Sequence, residues 1–377
     1  MNRRRQQRAG SVLILTALMM IVLMAVLAFT VDVGYMIVVR SELQRTADAA
    51  ALAGAWELVA EEERIGDGNL VEAKLAASTV ATNFASINHV TNIAPALGSQ
   101  DLTVGYRTDI FDQTEPIDTT ASDANIVQVR VRKASDVNGR VPFIFARAFG
   151  FVGAEMEAEA TAALLTNFRG FRPPSNGDNL DILPFALDEG TWFDMLNDQA
   201  SDDWKWDAET GQIASQSDGV REVNLYPQGT GSPGNRGTVD IGSPNNSTSD
   251  ISRQILDGIS ANDLSYMGGS LEFDSNDEMF LNADTGISAG FKDELKSMKG
   301  KPRIIPLFSQ ISGNGNNAMY TITHFCGVRI MDVKLTGKMS EKRVIVQPCA
   351  IKTQGGIPGT PGENQTYFVV SPVSLIH

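Results

Sequence analysis

The chain has 377 residues, 42% of them apolar and 20% charged, with a net charge of −14. That length suits two or three folded units with a sizeable core. Arg3, Arg4, Arg5 and Arg8 fall in the first ten residues, so the remainder carries −18, which argues against nucleic acid as a partner, since phosphate binding needs Lys and Arg gathered on a face.

Residues 11–31, SVLILTALMMIVLMAVLAFTV, hold no charge over 21 positions. As a helix they extend about 30 Å, the thickness of a hydrocarbon core. Residues 1–10 then read as a basic cytoplasmic leader, and everything past Asp32 lies outside the cytoplasm by the positive-inside rule. A cleaved signal peptide is the competing reading, with Val26-Leu27-Ala28 fitting a cleavage site. The length of the run and the helix-forming sequence beyond Ala28 favour an uncleaved anchor.

No proline interrupts residues 32–62, where Ala, Leu, Glu and Arg dominate. One helix of about 50 residues is predicted, half in lipid and half in water. GDGN at 66–69 breaks it, and residues 70–87 resume with helical spacing at Leu70, Ala73, Ala77, Val80, Phe84 and Ile87. Residues 102–107 and 125–133 alternate as half-buried strands do. VPFIFARAFG (141–150) reads as a short helix with Pro142 in its first turn and Gly150 at its end. Residues 155–165 read as a strand, with Met156, Ala158, Ala160 and Ala162 on one face and Glu155, Glu157, Glu159 and Thr161 on the other.

Residues 167–179 form a linker candidate by their Pro, Gly and Asn. Helices are predicted near 250–259, capped by Ser247 or Ser249, and over 289–300, ending at Gly300. Four further segments read as strands. Two of them flank Gly337-Lys338, and a two-residue turn there sets Asp332 opposite Arg343, Lys334 opposite Glu341 and Ile330 opposite Ile345. The same register sets Cys326 opposite Cys349, the two cysteines of the chain, either as a disulfide or as two buried thiols.

Chemistry is sparse. His89, His324 and His377 stand apart from other ligands, and no Walker, HExxH or GxSxG motif occurs. GTGSPG (229–234) fits a turn better than a dinucleotide loop. DSNDE (274–278) lacks the Gly and the closing Glu of a calcium loop. Asn245 and Asn246 match glycosylation acceptors, discounted in a bacterial-looking sequence. No catalytic, cofactor-binding or metal-binding residue is assigned.

The distinctive segment is RSELQRTADAAALAGA (40–55). On a helix it forms two adjoining stripes, Gln44, Asp48, Ala51 and Ala55 beside Leu43, Ala47, Ala50 and Gly54. So small a surface reads as a seat for another helix, with Asp48 and Gln44 setting register along its edge. Residue by residue, the first 55 positions resemble the TadG-like (TadE/TadG) proteins of the Tad tight-adherence, or Flp pilus-assembly, system. The likeness rests on the leading arginines, Gly10-Ser11 and the apolar span. It continues through Asp32-Val33-Gly34 and the run from Leu43 to Ala55. Residues 56–165 resemble the pilin-like body of that family more loosely, by order of elements, and 235–242 and 319–337 are similar to its C-terminal regions. Asp250-Ile-Ser252-Arg-Gln254 departs from the DxSxS metal motif of some relatives, so no such site is expected. Leu15 stands where a processed pseudopilin carries Glu, which puts cleavage between Gly10 and Ser11 in doubt.

The resemblance implies an α+β protein. A transmembrane helix (11–31) continues into an extracytoplasmic long helix with a pilin-like antiparallel α+β body (32–166). The linker (167–179) and a β-rich C-terminal domain (180–377) follow. It also implies a non-enzymatic, single-pass component of the bacterial inner membrane, with its body in the periplasm. Its partners are the lipid bilayer and pilin or pseudopilin helices, met through Asp32, Gly34 and the stripes above. The alternatives are a minor pseudopilin cleaved after Gly10 and built into the fibre, and a membrane-anchored envelope enzyme.

Overall fold

A computed structural model describes residues 9–62, 70–121, 124–226, 236–242, 247–285, 287–313, 318–360 and 365–376. The arginines of the leader, the GDGN break, GTGSPG and the Asn245-Asn246 pair lie outside these residues. Helix α1, Ala9–Glu62, runs unbroken for 54 residues, as the continuous run of helix formers requires. Gly10 and Ser11 lie in its first turn. Among the described residues it is the one helix long and apolar enough to cross a membrane, and residues 12–27 are exposed along their whole length.

Helix α2, Leu70–Ile87, packs back against α1. Its buried face differs from the expected one. Ala73, Ala77, Ala81 and Ala85 are buried, whereas Phe84 and Ile87 point to the surface. Spacing alone favoured the larger residues, but a helix lying on an alanine-covered neighbour has no room for them. Strands β1 (Leu102–Gly105), β2 (Ile126–Lys133) and β3 (Met156–Ala163) form an antiparallel sheet beneath the helices. Val127, Val129 and Val131 of β2, with Ala158, Ala160 and Ala162 of β3, join α1 and α2 in one core. The glutamates of β3 face outward, opposite Arg130 and Arg132, as period-two alternation predicts.

Two expectations change between β3 and the C-terminal unit. Residues 141–150 are not one helix. Val141–Pro142 pairs with Gly153–Ala154 as a short hairpin, and only Ala146–Phe149 coil, as a 3-10 turn. The start of the expected linker is a strand, Phe168–Phe171, with Phe168 and Phe171 buried, paired on both sides. Two aromatic residues seeking a core outweigh the Pro and Gly that follow.

The C-terminal unit is built on β4 (Phe185–Asp188), β5 (Val223–Asn224), β6 (Arg236–Val239), β7 (Met279–Thr285), β8 (Pro302–Ser312), β9 (Ala318–Lys334), β10 (Arg343–Pro348) and β11 (Thr366–Tyr367). Pairing runs β9–β7–β6–β4–β8 and returns to β9, so five strands close on themselves and leave no open edge between them. Strands β10 and β5 extend the sheet from β9, and β11 lies parallel to it. Ser247 caps the helix Thr248–Asp257, one of the two serines expected there. Within it Asp250 pairs with Arg253, and Gln254 is buried with its amide on the Ile241 carbonyl. The last strand, β12 (Ser374–Ile376), leaves this unit and pairs with β3, completing the first sheet as β1–β2–β3–β12. Sequence order therefore does not separate the two units as the expected boundaries do.

The hairpin of β9 and β10 forms with a different register. Ile330 faces Val346, a bulge follows, and Lys334 faces Arg343. The connection holds a 3-10 turn, Met339–Glu341, in place of a two-residue turn, and this longer loop shifts the pairing. The expected ion pairs survive the shift through their long side chains. Arg343 Nε lies 2.6 Å from Asp332 and Lys334 Nζ 2.8 Å from Glu341. The cysteines do not survive it. Cys349 N–H bonds to the Gly327 carbonyl, so Cys326 sits one position out of step and its side chain leaves by the opposite face. Both remain buried thiols and no bridge joins them. Burial pushes the Cys326 thiol well above its usual range.

Gly54 and Gly34 of α1 test this packing with opposite signs. A Cβ on Gly54 would meet Ala77 O, Ala81 Cβ and Val127 Cγ1 at 3.1 Å, whereas one on Gly34 meets nothing within 4 Å. Gly54→Leu should lower the stability of the full-length protein by about 3 kcal/mol through overpacking. Gly34→Leu should leave it unchanged or raise it by up to about 1 kcal/mol through helix propensity. Denaturant unfolding in detergent checks both, and equal effects would contradict the packing.

Candidate assembly surface on the membrane helix

The residues singled out along α1 fall into three groups. Leu43, Ala47, Ala50, Ala51, Gly54 and Ala55 are all buried, and the helix seated on them is the protein's own α2, with β2 and β3 alongside. The stripe is therefore a contact surface already filled from within the chain. Small side chains on both helices bring the backbones together, so that a Cβ on Gly54 would meet Ala77 O and Ala81 Cβ at 3.1 Å. The expectation that this stripe receives a pilin helix is corrected accordingly.

Gln44 and Asp48 form the edge of that seat. Gln44 Nε2 donates to Asp48 Oδ1 at 2.8 Å and to the Glu159 carbonyl of β3 at 3.1 Å. One amide thus fixes the helix along the sheet. Thr46, fully buried, donates to the Asn88 carbonyl at 3.1 Å, and Glu42 accepts the Thr91 N–H at 2.8 Å. These two contacts hold the end of α2 and had no signature in the sequence, since both partners lie more than 40 residues away. The alanines of α2, at every fourth position, were the readable half of the packing.

Asp32 makes the most concentrated contact. It is buried, although it directly follows the apolar span. Its carboxylate accepts three consecutive backbone N–H groups, from Ile144 at 2.7 Å, Phe145 at 3.1 and 3.2 Å, and Ala146 at 2.7 Å. The Val141–Pro142 pairing and the left-handed Gly150 bound the segment, so only Ala146–Phe149 coil between them. Burial by itself would raise this carboxyl, but the N–H groups of Ala146, Ile144 and Phe145 more than reverse that and hold it below the usual carboxylate range. A group so lowered favours the folded form above its ordinary value of 3.8, and that contribution is lost as the pH falls through the lower folded value.

Gly34, two residues on, is exposed with open space around it, and so stands apart from the packed stripe. His324 lies against Phe193 and Tyr367, with Nδ1 3.0 Å from Thr323 Oγ1, and burial lowers its pKa. Among the described residues no group of His, Cys, Asp and Glu is arranged to hold a metal ion.

The conserved-family comparisons cover this same platform. Residues 10–57, nearly the whole of α1, match the Flp pilus-assembly TadE/G-like family, Tad, and residues 53–162 match the Tad-like Flp pilus-assembly family, Tad_C. Over residues 10–162 the chain is thus similar to TadE/TadG-like Flp pilus-assembly proteins. No curated protein and no solved structure matches it. Together the two matches take in nearly all of α1, α2 and strands β1 to β3, so the similarity covers the helix pair and its sheet and does not extend to the closed-strand unit.

The Asp32 contact is tested by Asp32→Asn, which replaces one acceptor oxygen by an NH2 aimed at the same N–H groups. Hydrogen exchange of the 144–146 amides should lose its protection while that of the buried amides of α1 and α2 holds. Unchanged protection at 144–146 would show that the carboxylate does not organise the turn.

Proposed function

We propose that this protein is a non-enzymatic, single-pass component of the inner membrane in a Tad-type pilus-assembly or secretion system. Its body lies in the periplasm and its leader in the cytoplasm. The family match and the apolar helix support the assembly role and the anchoring. The four arginines ahead of the span favour the orientation.

One observation carries the reading of how it acts. Residues 12–27 of α1 are uncovered on every side, while residues 39–58 contribute to the core of the body. In lipid, helices associate through close backbone approach at small residues. With the alanine stripe filled by α2, the free small residue of the family motif is Gly34, at the membrane exit and open to a neighbour. The contact with pilin or pseudopilin helices is therefore assigned to the span and Gly34.

Gly34→Leu separates this role from folding, because a Cβ added at Gly34 meets nothing within 4 Å. Cells carrying it should keep normal amounts of the membrane-inserted protein yet lose most of their pili, approaching the deletion strain when pili are counted by electron microscopy. Normal piliation in both strains would overturn the assembly role. Normal piliation in Gly34→Leu alone would move the contact elsewhere.

A further inference from the structure

The hairpin tip at residues 143–152, FIFARAFGFV, is the most apolar exposed segment outside the span. Ile144, Phe145, Phe149, Phe151 and Val152 are between 46% and 73% exposed. A patch of this size marks an interaction surface, since a solvated turn gains nothing from three exposed phenylalanines. The tip is also held in shape. Val141–Pro142 pairs with Gly153–Ala154 at its base, the 3-10 turn fills its centre, and Gly150 closes that turn at a φ of 88°. The Phe151 N–H bonds back to the Ala146 carbonyl at 3.2 Å.

Its height along α1 is fixed by Asp32. Val31 ends the uncharged span, and Asp32 follows it by about 1.5 Å of helix rise. The backbone at 144–146 lies within hydrogen-bond reach of that carboxylate. The tip therefore stands level with the outer end of the hydrocarbon core. Ile37 and Val38, five and six residues farther along α1, are exposed at 65% and 54%. Apolar surface thus continues from the span onto both the helix and the tip. Arg147 is exposed among the aromatic residues, suited to a lipid phosphate.

We propose that residues 143–152 form a second membrane contact, with the aromatic side chains seated at the headgroup–acyl boundary of the periplasmic leaflet and Arg147 among the phosphates. Phenylalanines with a basic residue at that depth are the composition of interfacial anchors. The Asp32 clasp gives this contact its purpose. A single helix leaves the body free to tilt and rotate about one line, whereas a helix joined to an inserted tip fixes the body at two points. The proposal rests on the anchored reading of α1 and commits to lipid as the occupant.

The test uses the full-length protein in vesicles of phosphatidylcholine and phosphatidylglycerol carrying brominated acyl chains. A fluorophore is placed at Phe149→Cys, at Val22→Cys in the span, or at Tyr266→Cys on the exposed surface of the C-terminal unit. Native conditions restrict labelling to the introduced thiol, because Cys326 and Cys349 are buried. The probes at 149 and 22 should be quenched several-fold more strongly than the probe at 266. Bromines near the headgroups should act best on 149, and those near the chain ends best on 22. Quenching at 22 with 149 at the level of 266 would overturn the inserted tip, assign that patch to a protein partner and leave the anchor intact. Absence of quenching at 22 would overturn the anchor and the tip together.

Discussion

The close approach of α1 to α2 and β2 around Gly54 is the constraint on which the rest depends. Small side chains on both helices leave each backbone near the other, and Val127 closes the gap from the sheet side. The interface has little volume to rearrange, because alanine has no rotamers and the one glycine has no side chain. Such a contact favours a rigid joint over an adjustable one. Helix α1 passes through it without a break, so whatever orientation the body takes is passed directly to its apolar span.

The C-terminal unit is drawn into the same arrangement. Strand β12 completes the sheet on which α1 lies, Val370 enters the α1–α2 core, and Lys352 stands over the Trp56 ring at 4.0 Å from its centre. The closed ring of strands is thus joined to the membrane helix through the chain's last residues as well as through residues 164–184. A helix, a sheet and a strand ring locked together suit a protein whose proposed work is to hold partners in place. They suit less well an enzyme that must open and close around a substrate.

Much of this was legible from residue order, and the misses share a cause. The long helix, α2, the strands at 102–105, 126–133 and 156–163, and the Ser247 cap all follow from local patterns. Local pattern could also tell that residues 43–55 form a contact surface. It could not tell whose. The partner was 30 residues downstream, flagged by Ala73, Ala77, Ala81 and Ala85, but the larger Phe84 and Ile87 drew the apolar face to the wrong side. The turn at 144–146 was hidden because its organiser, Asp32, lies 112 residues or more away. The β9–β10 register failed because opposite charges on long side chains pair in several registers, and so cannot select one. The return of β12 to the first sheet has no local signal at all.

The central claim is that α1 is one rigid helix from the bilayer into the body. It is tested most directly by the distance between spin labels at Val22→Cys and Arg45→Cys in lipid nanodiscs, measured by pulsed electron resonance. Both positions are exposed and lie on either side of Asp32 and Gly34. An unbroken helix of 23 residue steps predicts a single narrow distance of about 35 Å between backbones, before the label arms are added. A broad distribution, or a mean well below that value, would place a hinge at the membrane exit and contradict the account.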